Sequence, residues 1–166
     1  MDLERMYTKV YEKPLTVKLL KVFCHICELL FGLAFLLCIY FARSVSVRAA
    51  ISLCIFCGIS FALLSVARRI INAPRPAQVF SHLTFLEGGN SPAFPSRHVF
   101  SASLISAILL FHRSLLGVPF IFLSLLLAVA RVALGRHFPR DVIAGWLIGA
   151  VAGTAAFYLS YNIFAG

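Results

Sequence analysis

Residues 22–42 read VFCHICELLFGLAFLLCIYFA, a run of 21 residues in which Glu28 carries the only formal charge. A hydrocarbon layer of ~30 Å needs about 20 helical residues to cross it. In lipid only helices and closed barrels satisfy every backbone N–H and C=O, and an apolar run this long means a helix. Four more hydrophobic stretches follow, near 47–67, 98–112, 117–134 and 141–164. The second and last are long enough to span. The 98–112 and 117–134 stretches are short, and their ends are expected to extend into the flanking segments. Gly117-Val118-Pro119 is expected to break the chain between them.

Composition agrees. Of 166 residues, 61% are hydrophobic and 13% are charged, with mean hydropathy +0.94. A soluble domain averages nearer ~25% charged. The sequence therefore predicts an all-α integral membrane bundle of about five transmembrane helices, forming a single domain over residues 1–166. Residues 1–21 alternate Asp2, Glu4, Arg5, Lys9, Glu12, Lys13, Lys18 and Lys21 with apolar residues at helical spacing. They predict an amphipathic interfacial helix, separated by Pro14 from the 22–166 bundle. No secretory cleavage pattern is evident, so the first span is expected to stay attached. The net charge of +9 points to anionic headgroups or an anionic substrate. Nucleic acid is disfavoured because the basic residues are scattered among hydrophobic spans. The five cysteines lie in apolar helical surroundings and read as buried thiols rather than metal ligands. Gly145, Gly149 and Gly153 form a doubled GxxxG, which reads as close internal packing before dimerisation.

Charge is concentrated in three clusters: Arg68 with Arg75-Pro76, then Pro95-Ser96-Arg97-His98, then Arg131 with His137 and Asp141. If the spans alternate direction, all three emerge at one interface. Between the first two clusters runs the long connection 68–97, containing Pro74, Pro76, Gly88, Gly89, Asn90, Pro92 and Pro95. Guanidinium forks match phosphate oxygens, so Arg68, Arg75 and Arg131 are candidates to neutralise a phosphoryl group. Ser96 and the N–H groups of Arg97 and His98 open a helix, a natural anion site. His137 can attack phosphorus if Asp141, four residues on, orients its other ring nitrogen. His98 can protonate the leaving oxygen and then activate water. These parts would break a phosphate ester without a metal or other cofactor. By contrast, Arg43, Arg48, Arg69, Arg113, Arg136 and Arg140 read as interfacial arginines that reach toward headgroups. His25, His82 and His112 read as packed or hydrogen-bonded. Glu28 is expected to pair with a neighbouring helix or to sit near the interface.

The clusters resemble the motifs of the type 2 phosphatidic-acid phosphatase family, which shares its site with vanadium haloperoxidases. The family patterns are Lys-x6-Arg-Pro, Pro-Ser-Gly-His and Ser-Arg-x5-His-x3-Asp. Here they stand as Arg68-x6-Arg75-Pro76, Pro95-Ser96-Arg97-His98 and Ala130-Arg131-x5-His137-x3-Asp141. The resemblance implies a metal-independent lipid phosphatase with His137 as nucleophile, Asp141 as its partner and His98 as acid/base. It implies phosphate binding by Arg68, Arg75, Ser96 and Arg131. Three positions depart from the pattern: Arg68 for Lys, Ala130 for Ser and Arg97 for Gly. Arg97 is expected to contact a second phosphate or an acidic headgroup. Phosphatidic acid, phosphatidylglycerophosphate and polyprenyl diphosphate are all candidate substrates. A lipid phosphotransferase and a non-catalytic scaffold that binds anionic lipid are the alternatives. Haloperoxidase chemistry is disfavoured in so short a membrane chain, and no inverted repeat supports a transporter. The family places its site away from the cytoplasm, and that orientation is expected here. The cluster Arg5, Lys9, Lys13, Lys18 and Lys21 before the first span argues the other way by the positive-inside rule.

Overall fold

The computed structural model describes residues 3–86, 89 and 91–163; Asp2, Gly88, Asn90 and the final residue of the expected last span lie outside them. Among the described residues the chain is helical. Helix α1 is Leu3–Tyr11, α2 Pro14–Val45, α3 Val47–Ile71, α4 Pro76–Val79, α5 Arg97–His112, α6 Ser114–Ala133 and α7 Pro139–Tyr158, followed by a π-helical turn at Leu159–Ile163. Among those residues four segments are long and apolar enough to cross a membrane: Pro14–Val45, Val47–Val79, Leu115–Ala133 and Pro139–Asn162.

Helix α5 differs from the other four. Its 16 residues reach about 24 Å, short of a ~30 Å core. It is also the most enclosed, with Val99, Phe100 and the whole run Ala102–Leu109 buried. The short third stretch is therefore the central post of the bundle. Its neighbours carry the lipid-facing surface: Leu29, Leu33 and Leu36 on α2, Ile55, Ile59 and Leu63 on α3, Val129 on α6 and Val151 on α7 are all exposed. An exposed apolar face of this extent is stable only against hydrocarbon.

Two sequence boundaries move. Pro14 does separate α1 from the bundle, but it sits in the first turn of α2, where its missing N–H costs nothing. Lys18 and Lys21 consequently ride on α2, and the amphipathic helix is only α1. The α5–α6 break falls at Arg113, and Gly117-Val118-Pro119 lies inside α6. Gly117 serves contact there: a Cβ would come within 2.2 Å of Leu110 Cα.

The α5–α7 contact sets the height of the site. Added Cβ atoms on Gly145, Gly149 and Gly153 would lie 2.6, 2.3 and 2.3 Å from the carbonyl oxygens of Ser96, Phe100 and Leu104. Both series step by four residues in the same direction, so α5 and α7 run parallel, backbone against backbone. The glycine stripe is thus used inside the chain. Ser103 Oγ donates to Trp146 O at 2.7 Å, and Trp146 Nε1 donates to Ser124 Oγ at 2.9 Å, tying α5, α6 and α7 together. Trp146 is a packing residue.

Helix α1 folds over the end of the bundle that carries the motifs. Tyr7 is buried edge-on against Phe80, and Tyr11 packs on Phe85 while its hydroxyl donates to Leu134 O at 3.2 Å. His82 meets Glu4 at 2.8 Å, His25 lies 3.4 Å from Glu28, and His112 bonds the Tyr161 hydroxyl, so each of these histidines has a partner. The cysteines are free thiols, all buried except Cys54.

Gly149→Val should lower stability by about 3 kcal/mol, the upper range for overpacking, read as a lower melting temperature in detergent. Gly58→Ala, where an added Cβ meets nothing within 4 Å, should shift it by under about 1 kcal/mol.

Candidate active site

Helix α3 ends at Asn72, whose left-handed φ of 45° turns the chain into the long connection. Short helix α4 begins at Pro76, with Arg75 at its cap. The α6–α7 turn depends on Gly135 at φ +65°, a conformation that side chains with a Cβ resist. That turn swings His137 back under α5. One backbone hydrogen bond then joins the two helix starts: Ser96 N–H donates to Asp141 O at 2.9 Å. The three clusters meet at this end of the bundle.

Arg75, His98, Arg131, Arg136 and His137, with Leu86 and Gly89, line a polar cavity of about 600 Å³. His137 and Arg131 are almost fully buried in its wall, at 2% and 3% exposure. His137 Nδ1 lies 3.8 Å from Asp141 Oδ2, an ion-pair contact slightly too long for a hydrogen bond. Asp141 is held by accepting the Phe138 N–H at 2.8 Å, while its Oδ1 and His137 Nδ1 are buried without hydrogen-bond partners among the described residues. Burial pulls the proton affinity of His137 below the ordinary histidine value, Arg75 and Arg131 add to the effect, and Asp141 opposes it. The imidazole is therefore biased toward its neutral, nucleophilic form.

The arginines divide into two kinds. Arg75 is anchored to Ser91, with Nε donating to its carbonyl at 2.8 Å and Nη2 to its hydroxyl at 2.6 Å, and still lines the cavity. Arg131 donates from Nη2 to Glu28, and its Nε is buried without a partner among the described residues. Arg68 is placed apart from the other two. It is 4% exposed, and its guanidinium donates to the backbone carbonyls of Pro92, Ala93 and Pro95. It does not line the cavity; its donors hold the connection in place. Ser96 is likewise fully buried, its Oγ unpartnered, beneath the cavity rather than in its wall. Arg97 is exposed beside His98 and lines an adjoining apolar groove with Glu28, Phe31 and Leu127.

Two residues were missed in the sequence. Arg136 reads as an interfacial arginine but lies in the cavity wall. Its position next to His137 was the available signal. Glu28, near the middle of the first span, contacts Arg131 and lies 3.4 Å from His98 Nε2. An acid within an apolar helix signals a partner, but only packing reveals which one.

The bundle of membrane-length helices thus gathers two histidines, a carboxylate and three cavity-lining guanidinium groups at one end. Residues 49–165 match the model of the PAP2 superfamily, and the chain belongs to that family. Undecaprenyl-diphosphatase BcrC of Bacillus subtilis is 30% identical over 87 residues, covering 52% of this chain and 45% of that protein. The chain thus matches less than half the length of this curated relative. Two solved structures share the fold. The PAP2 type phosphatidylglycerolphosphate phosphatase from Bacillus subtilis superposes with TM-score 0.68 at 21% identity, over 97% of this chain and 83% of that one. Aquifex aeolicus LpxE gives 0.64 at 22% identity, over 93% of each chain.

Arg68→Ala would leave the carbonyls of residues 92–95 without their charged donor. It should cost on the order of 3 kcal/mol and hasten protease cleavage between residues 80 and 93. Limited proteolysis in detergent measures this.

Proposed function

We propose that this protein is a lipid phosphatase that cleaves a phosphomonoester or diphosphate through a phosphohistidine. The observation that carries the reading is the pairing of His137 with Asp141 in a cavity whose walls also hold His98, Arg75, Arg131 and Arg136. With Nδ1 turned toward Asp141, His137 Nε2 is the nitrogen free to attack phosphorus. The P–O bond to the lipid breaks, and His98 gives its proton to the leaving oxygen. A water then attacks the phosphohistidine, passing its proton to His98, and the P–N bond breaks to free phosphate and His137. Arg75, Arg131 and Arg136 neutralise the equatorial oxygens. Arg68 and Ser96 support this site from behind, by fixing the connection and the start of α5. None of these steps requires a metal.

The lipid nature of the substrate is supported by a groove beside the cavity. Glu28, Arg97 and His98 stand at its polar end, and Phe31, Phe35, Phe61, Ile105 and Leu127 line the rest, enclosing about 350 Å³. A second apolar hollow of about 300 Å³ shares Phe35, Phe61, Ser101 and Ile105 with it and continues toward Cys54 and Leu104. An acyl or prenyl chain entering sideways between helices fits this trough while its phosphate meets the arginines. The name of the curated relative favours a polyprenyl diphosphate, and Arg97 at the junction is suited to a second phosphate. Helix α1 and the site share one end of the bundle. The family orientation and the lysine distribution therefore bear on one observable, the face on which the N-terminus lies. We retain the family orientation, with the site away from the cytoplasm.

Detergent-purified protein should release phosphate from phosphatidic acid, phosphatidylglycerophosphate or a polyprenyl diphosphate, and His137→Ala should lower kcat by at least about a thousandfold. Retained activity in His137→Ala would remove the nucleophile assignment. No release from any of these lipids by folded protein would favour the scaffold reading, and phosphate appearing on an added lipid acceptor would favour transfer. Because protonated His137 cannot attack, its lowered proton affinity moves the acid limb of kcat/KM below the ordinary histidine value of ~6.5. A limb above that value would contradict the burial argument. Arg97→Gly should reduce the diphosphate-to-monophosphate rate ratio by about tenfold, the worth of one charge-assisted hydrogen bond. An unchanged ratio would exclude contact with the second phosphate.

A further inference from the structure

Glu28 belongs to none of the three motif clusters and comes from a different part of the chain, the first membrane-length helix. Its carboxylate nevertheless reaches the chemistry: Oε1 accepts from Arg131 Nη2 and lies 3.4 Å from His98 Nε2, and Oε2 lies 3.4 Å from His25 Nδ1. We propose that Glu28 is a positioning residue for His98, an anion that orients this general acid and offsets the cations around it while fixing the guanidinium of Arg131. The inference rests on the phosphatase reading above and adds a member to that site.

Burial pulls the proton affinity of His98 well below the ordinary histidine value, and Arg131 from α6, His137 from the α6–α7 turn and Arg97 on its own helix add to the effect, while Glu28 opposes it. Among the charges acting on His98, Glu28 is the one that favours the protonated form, which is the form that can protonate the leaving oxygen. The charges acting on Glu28 are those of Arg131, His98 and His25. One carboxylate thus bridges a phosphate-binding arginine and the proton donor. The Glu28 side chain keeps 35% of its surface accessible and that of His98 45%, so a leaving oxygen can reach His98 alongside it. The location also has a structural reason. Helices α5 and α6 are approached by α2 at this level, and among the residues of α2's apolar stretch Glu28 alone is acidic.

The alkaline limb of kcat/KM reads the proposal, because activity falls once the general acid loses its proton. Glu28→Gln keeps the shape and removes the charge. Its limb, measured as phosphate release from phosphatidic acid in detergent micelles, should move about one pH unit lower, the effect of removing an adjacent opposite charge. Glu28→Asp, which keeps the charge, should restore the limb. A rate that falls by the same factor at every pH, or does not change, would overturn the proposal, since a carboxylate that only packs against Arg131 has no effect on the limb. If Glu28→Gln turns over too slowly or does not fold, NMR of wild-type protein labelled in histidine and glutamate decides. The Glu28 carboxylate signal must follow the His98 titration, and independent titrations would overturn the coupling. That measurement also separates the two claims. Absence of wild-type turnover removes the phosphatase reading, while the two titrations still decide whether Glu28 and His98 are coupled.

Discussion

The parallel seating of α5 on α7 is the constraint on which the rest of the molecule depends. Three glycines at four-residue steps bring one backbone onto the carbonyls of the other, at a separation that a single added Cβ would violate. Lipid gives helices no hydrophobic reason to associate, so close backbone packing must supply the attraction. Because the helices run parallel and in register, their first turns stand at the same height. Ser96 then bonds Asp141 through the backbone, and the residues on either side, His98 and His137, are delivered to one cavity. Packing deep in the bundle thereby fixes chemistry at its end.

A second constraint is electrostatic. Several guanidinium groups lie at the end of an apolar bundle, and each needs either a partner or a ligand. Arg68 is fully engaged by loop carbonyls, which stabilises the irregular backbone of residues 92–95 where no helix supplies its hydrogen bonds. Arg75 is steadied by Ser91 and Arg131 by Glu28, while both still line the cavity. On the proposed reading, the resulting excess of positive charge receives a multiply charged anion. Beside it, the groove lined by Phe31, Phe35 and Leu127 is matched to hydrocarbon. An amphiphile with a phosphate head satisfies both surfaces at once, and a soluble phosphate ester satisfies only one.

Much of this was legible in the chain. Long apolar runs determined an all-helical membrane bundle because lipid leaves the backbone no alternative. The spacing of Arg75, His98, Arg131, His137 and Asp141 determined that these groups would gather at one end, since helix direction alternates along the chain. The glycine spacing determined a close helix contact. What tertiary structure decided was which groups face one another. Arg68 and Arg75 look equivalent in sequence, yet one supports a loop and the other lines the cavity, because only the path of residues 91–95 says where donors are needed. Arg136 looks like an interfacial arginine until the turn at Gly135 directs it inward. Glu28 looks out of place until α2 packs on α5 and α6, 70 residues and more away in sequence, since a side chain's partner depends on distance in space and local pattern carries no such information.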